Sequence, residues 1–138
     1  VAVSSHRAVL VNDKVYIYGG FNIPLFEFSD KLDVYDPALD VISPLTNGPL
    51  ASSQFAMLAY NSTILIAGGN KVLPNSSFGV TNEAYLYNTI NNTFTSIVNM
   101  PSMRSGMEIS QLGNTSLMSM PVTCVALKAK VTSAPGLM

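Results

Sequence analysis

Residues 9–20, VLVNDKVYIYGG, run as a short apolar stretch, a polar insert, a second apolar stretch and a glycine pair. The same order returns, altered, at residues 57–69, MLAYNSTILIAGG. Apolar runs of this length, rich in Val, Ile and Tyr, read as strands. The inserts Asn12-Asp13-Lys14 and Asn61-Ser62-Thr63 read as the turns joining them, because Asn and Asp tolerate positive φ and hydrogen-bond their own backbone. The return runs, 15–18 and 64–67, are apolar throughout rather than alternating, which predicts strands covered on both faces. Each ends at a glycine pair, Gly19-Gly20 and Gly68-Gly69, where the backbone needs positive φ or a close approach that a Cβ would block.

Beyond each glycine pair the pattern predicts a loop, 21–30 and 70–82. A third strand follows at 31–35 and 84–87, and a fourth at about 41–45 and 93–98. Asp36-Pro37 stops the third strand of the first unit, since proline fixes φ and removes a ladder donor. The glycine pairs stand 49 residues apart, and Tyr35 and Tyr87, which end the third strands, stand 52 apart. A copied unit of about 50 residues is the signature of a repeat architecture. A third unit opens at Met100-Pro101 and continues over 107–112, a Gly113-Asn114 turn and 117–120. Pro121-Val122 then stands where a third glycine pair is due, and residues 121–138 are read as an off-pattern tail.

These residues carry a resemblance: the chain looks like a kelch-repeat β-propeller of the galactose oxidase and kelch-like group. The matching features are His6 ahead of an apolar strand, the two glycine pairs, Tyr35-Asp36-Pro37 with Tyr87-Asn88, and the linker from Met100-Pro101 to Arg104-Ser105-Gly106. The resemblance implies an all-β fold, a partial propeller of four-stranded antiparallel blades. Blade 1 would span about 4–48, blade 2 about 50–99 and a partial blade 3 about 100–120. The family's tryptophan position is taken by Ile42 and Phe94, expected to keep a core role, and the counterparts of His6 are read as Gln54 and Met107. A propeller closes its ring with about four to eight blades, so the chain is expected to be a piece of a longer protein with blades missing. An isolated piece is expected to self-associate through its uncovered blade faces.

Composition removes several function classes. Charged residues make up 11% of the chain, against about 25% in soluble domains, and the net charge is −1. No basic stripe is present to neutralise phosphates, so nucleic acid is not an expected partner. No apolar run is long enough to span a membrane as a helix. The single cysteine, Cys124, excludes an internal disulfide. Four N-x-Ser/Thr sequons, at Asn61, Asn75, Asn91 and Asn114, all fall in expected turns or loops. Together with the low charge they favour an extracellular or lumenal chain, although the same residues are ordinary turn formers.

No catalytic constellation is visible. His6 is the only histidine and reads as structural or solvent-facing rather than as a base or ligand. Glu27, Asp30, Asp33, Asp36 and Asp40 crowd one region without a calcium-loop motif, and a solvated edge is the favoured reading. The resemblance implies a binding mouth at Arg104, Ser105, Ser4 and Ser52, since arginine and serine at this entry position face the ligand in peptide-binding kelch propellers. The functional expectation is therefore a non-catalytic module, with no cofactor and no metal, binding a protein or glycan partner. The alternatives are a fragment of a copper-radical oxidase, to which only Cys124 and His6 would contribute, and a truncated kelch protein without function.

Overall fold

The computed structural model describes residues 2–106, 108–112, 115–119 and 124–127. Its elements are all strands: β1 (Arg7–Val11), β2 (Lys14–Tyr18), β3 (Phe21–Asn22), β4 (Glu27–Phe28), β5 (Leu32–Asp36), β6 (Val41–Pro44), β7 (Ala56–Tyr60), β8 (Thr63–Ala67), β9 (Asn70–Val72), β10 (Phe78–Val80), β11 (Ala84–Asn88), β12 (Thr93–Ser96), β13 (Glu108–Leu112), β14 (Thr115–Ser119) and β15 (Cys124–Leu127). They form antiparallel sheets in the orders β1-β2-β5-β6, β7-β8-β11-β12 and β13-β14-β15, with small hairpins β3-β4 and β9-β10. No described helix is long and apolar enough to cross a membrane.

Turn chemistry sets these meanders. Asn12, Asp13 and Asn61 adopt positive φ at the first hairpins, as their short polar side chains allow. The turns between the third and fourth strands are copies of one another. Tyr35 Oη donates to Asp40 Oδ1 at 2.9 Å, and Tyr87 Oη donates to Asn92 Oδ1 at 2.5 Å. Asp36 Oδ1 accepts from the Ala38 amide as Asn88 Oδ1 accepts from that of Ile90. Asp40 and Asn92 both lie at positive φ. The 52-residue spacing thus preserves a hydrogen-bonding unit, with Asp and Asn exchangeable because both offer the accepting oxygen.

The sheets pack face to face in chain order. Tyr16, Tyr18 and Leu32 of the first sheet meet Met57, Ile64, Ile66 and Tyr87 of the second, with Phe55 buried between them. The opposite face of the second sheet is lined by Ala56, Ala67 and Ala84 and meets Met100 and Ile109. The first strands lie together, β1 against β7 and β7 against β13. Their entry residues Ser5, Gln54 and Gly106 all take positive φ and are chained by backbone bonds: the Gln54 amide donates to Ser5 O and the Gly106 amide to Gln54 O.

Among the described residues the first sheet is covered on one face only. On its outer face Leu10, Val15, Tyr35 and Ile42 form one cross-strand row. The same row of the second sheet is Ala59, Ile64, Tyr87 and Phe94. Ile64 and Tyr87 are buried by the first sheet, whereas Leu10 is 65% and Ile42 61% exposed. The core role expected at the tryptophan position holds for Phe94, which packs on Tyr18 and Tyr87. It does not hold for Ile42, because no sheet lies against it among the described residues.

Three features differ from the sequence expectation. The loops after the glycine pairs contain the hairpins β3-β4 and β9-β10. Cys124–Leu127 forms β15 on β14, inside the segment read as an off-pattern tail. The entry segments also align one residue later in the second unit. Ser4 bridges Phe21 as Ser53 bridges Asn70, so Ser53, not Ser52, corresponds to Ser4. By the same register Phe55, not Gln54, stands in the place of His6.

Candidate functional site

One end of the sheets gathers the glycine pairs, the entry segments and the two hairpins. Gly19 and Gly20 carry φ of 67° and 106°, and Gly68 and Gly69 carry 70° and 99°. These conformations turn each second strand back across the entry segment of the following unit. The Gly20 amide donates to Ser52 O at 2.8 Å, and the Gly69 amide to Arg104 O at 2.7 Å. A Cβ on Gly69 would lie 2.6 Å from Ser53 O and 2.9 Å from Phe55 Cβ, and would also meet Ser52 Oγ.

The hairpins hold an aromatic cluster over this end. Phe21, Phe26 and Phe28 come from the first unit and Phe78 from the second. Phe26 stacks on Phe78 with centroids 5.4 Å apart at 26°, while Phe28 meets Phe78 edge-on at 4.9 Å. Phe21 meets all three others at 5.0–5.8 Å. Ile23, Leu25, Phe26 and Phe78 remain exposed. Phe26 also sits at φ 56°, a conformation that costs a side chain with a Cβ about 1–2 kcal/mol. Burial does not repay that cost, since Phe26 is 69% exposed.

A cavity of about 400 Å³ opens beside the cluster, with Leu25, Phe28 and Ile17 on its apolar walls and Glu27, Asp30 and Asp33 among its polar ones. Asp30 accepts from Asn47 Nδ2 at 3.2 Å. The second unit repeats this with Asn99 and Asn82, so the Asp30 contact belongs to the frame. Glu83 anchors the second hairpin, accepting from Lys71 at 2.5 Å, Thr81 at 2.7 Å and Tyr85 at 2.8 Å. Partial burial pushes the Glu83 carboxyl up, and these three donors outweigh it and leave it below the usual carboxylate range. Burial, followed by that carboxylate, pushes the Tyr85 phenol up to about 12.

The residues expected at a mouth are partly brought together here. Ser4 is exposed and its hydroxyl donates to Phe21 O at 3.4 Å. Arg104 and Ser105 are half-buried in the entry segment of the third sheet. Ser52 is not at a mouth: it is fully buried, and its hydroxyl donates to Gly68 O at 3.2 Å. His6 is exposed at this end. The acidic group divides, with Asp36 at the opposite end paired to Lys14 at 3.3 Å and Asp40 bound by Tyr35. Among the described residues no three His, Cys, Asp and Glu side chains are grouped to hold a metal ion. Asn61, Asn75 and Asn91 are exposed on turns, and Asn114 lies outside the described residues.

Sequence reasoning missed the aromatic cluster because it joins two loops some fifty residues apart, and neither loop shows strand periodicity. Three phenylalanines, at 21, 26 and 28, within eight residues of an expected loop were the available signal.

No protein-family model matches the sequence, and no curated protein matches it. Among solved structures 149 chains match. The structure of YjhT is similar to this chain with a TM-score of 0.74 at 19% identity, over 86% of this chain and 34% of that one. The chain thus spans about a third of the length of that neighbour, and the likeness is one of fold.

Proposed function

We infer that the chain is a run of consecutive blades from a kelch-type β-propeller, acting as a binding module for a protein or glycan partner. The observation that carries this reading is the chained entry segment. Ser5, Gln54 and Gly106 repeat one backbone geometry, and β1, β7 and β13 lie side by side. First strands that neighbour one another while later strands lead away from them are what a radial arrangement of blades requires. The uncovered row of Leu10, Val15, Tyr35 and Ile42 is the surface another blade would bury. The low sequence identity to YjhT supports only the architecture, and the same fold hosts unrelated functions. Binding is assigned to the end with the glycine pairs, where loops from successive units converge on a fixed frame. Exposed sequons at Asn61, Asn75 and Asn91 support a secretory setting for such a module.

Selection of a random peptide display library, together with a glycan array probed with the chain, tests the reading. The expected result is a set of enriched peptides or glycans whose affinity falls about tenfold or more on substitution at the glycine-pair end. Asp40→Asn, at the opposite end, leaves it unchanged. Failure of both screens, or binding lost only through the opposite end, contradicts the assignment.

A further inference from the structure

Two of the sequons share an arrangement in the folded chain. Asn75 Oδ1 accepts from the Ser77 hydroxyl at 2.6 Å, and Asn91 Oδ1 accepts from the Thr93 hydroxyl at 2.5 Å. The Ser77 amide also donates to Asn75 Oδ1, at 3.1 Å. In both, the hydroxyl that the sequon requires holds the carboxamide by its oxygen. Nδ2, the atom that would carry a glycan, has no partner among the described residues. A sugar on Nδ2 leaves these bonds intact, since the oxygen goes on accepting. Asn61 differs, because its Thr63 is buried at the start of β8.

Neither site owes its exposure to a missing blade. Both belong to the second unit, whose sheet has the first sheet on one face and Met100 and Ile109 on the other. Asn75, Ser77, Asn91 and Thr93 are all exposed. Asn75 sits in the loop joining β9 to β10, and the strand residues flanking that loop, Val72 and Phe78, stand opposite each other in register. Directly opposed residues place their side chains on one face. Val72 is 45% and Phe78 47% exposed, although Phe21, Phe26 and Phe28 already pack against the Phe78 ring. Grouped apolar side chains left in solvent mark a surface that another group covers, and Asn75 is three residues from Phe78 in the same hairpin.

We propose that Asn75 and Asn91 are N-glycosylated and that the glycan on Asn75 lies over Val72 and Phe78. The donor is a polyprenyl diphosphate-linked oligosaccharide. Asparagine Nδ2 bonds to the anomeric carbon of its first sugar as the bond from that carbon to the diphosphate oxygen breaks. The diphosphate leaves with the electron pair, the amide proton passes to a base of the transferase, and nothing is oxidised or reduced. The first sugar, an N-acetylglucosamine, presents a face of C–H groups whose partial positive charge matches the negative face of the Phe78 ring. The glycan stands apart from the entry residues Ser4 and Ser53, which bridge the bases of the hairpins at Phe21 and Asn70. The assignment rests on the secretory setting inferred above and not on what the module binds.

The test exports the 138-residue chain from eukaryotic cells behind an added leader. A peptide-N-glycosidase then releases the glycans in water enriched in heavy oxygen, so that each occupied asparagine becomes a labelled aspartate. Label is expected at Asn75 and Asn91; Ser77→Ala removes it at Asn75 and Ser77→Thr keeps it. Absence of label at either asparagine overturns the proposal and leaves the binding module standing, since that reading is decided by the display and array screens. A hydrophobic dye reads the cover. Release of the glycans, or Asn75→Gln, raises dye fluorescence, whereas Asn91→Gln does not, and the rise is lost in Phe78→Ser and lessened in Val72→Ser. These substitutions are at exposed positions, and thermal unfolding matched to the unsubstituted chain confirms that the fold is kept. No rise on release, or a rise that persists unchanged in both Phe78→Ser and Val72→Ser, overturns the placement of the Asn75 glycan.

Discussion

Gly69→Val is expected to cost about 3–5 kcal/mol, combining the strain of a β-branched residue at positive φ with overpacking against fixed backbone. Gly69 lies at φ 99°, and its missing Cβ would fall 2.6 Å from Ser53 O. The Ser53 carbonyl cannot move aside, because it accepts the Asn70 amide at 2.8 Å. Since folded domains keep only about 5–15 kcal/mol in reserve, the chain should unfold at far lower denaturant. Gly106→Ala is the control. Gly106 also has positive φ, but only Gln54 Oε1, at 3.9 Å, lies near its missing Cβ, so the cost should stay near about 1 kcal/mol. Equal midpoints for the two variants in urea titrations would show that close approach is not what Gly69 provides.

Phe55→Ala should cost about 3–5 kcal/mol, the range for removing a buried aromatic ring whose cavity cannot collapse. Phe55 is fully buried, meets Tyr18 edge-on at 5.4 Å and lies where a Cβ on Gly19 would be. Its carbonyl accepts from Arg7 Nε at 3.1 Å. The ring therefore fills the joint between the first two sheets. Tyr18 is tied into the same joint, donating to Leu50 O at 2.5 Å, and burial raises its phenol pKa well above the usual range. Denaturant unfolding followed by tyrosine fluorescence reads the loss. A change below about 1 kcal/mol, the size expected at surface positions, would mean that the two sheets do not depend on each other.

What was legible in the sequence is what local chemistry dictates. The glycine pairs, the Asn and Asp turns and the tyrosines closing the third strands were found at their true positions, because each depends on a few neighbouring residues. The placement of Ser52 and Gln54 slipped by one residue because the entry segments have no periodicity of their own. Their register is set by the bridges Ser4 to Phe21 and Ser53 to Asn70, which join positions 17 residues apart in sequence. The strand at Cys124–Leu127 was missed because no glycine pair announces it. Ile42 and Phe94 occupy equivalent positions, and only the presence of a neighbouring sheet decides which is buried; that information is outside the local sequence.

Sedimentation velocity of the 138-residue chain tests most directly whether its sheets are blades that need neighbours. A blade face carrying Leu10, Val15, Tyr35 and Ile42 predicts concentration-dependent association, suppressed when Leu10 and Ile42 are both replaced by lysine. A monomer at all concentrations, unfolding in one sharp cooperative transition without those substitutions, would contradict it.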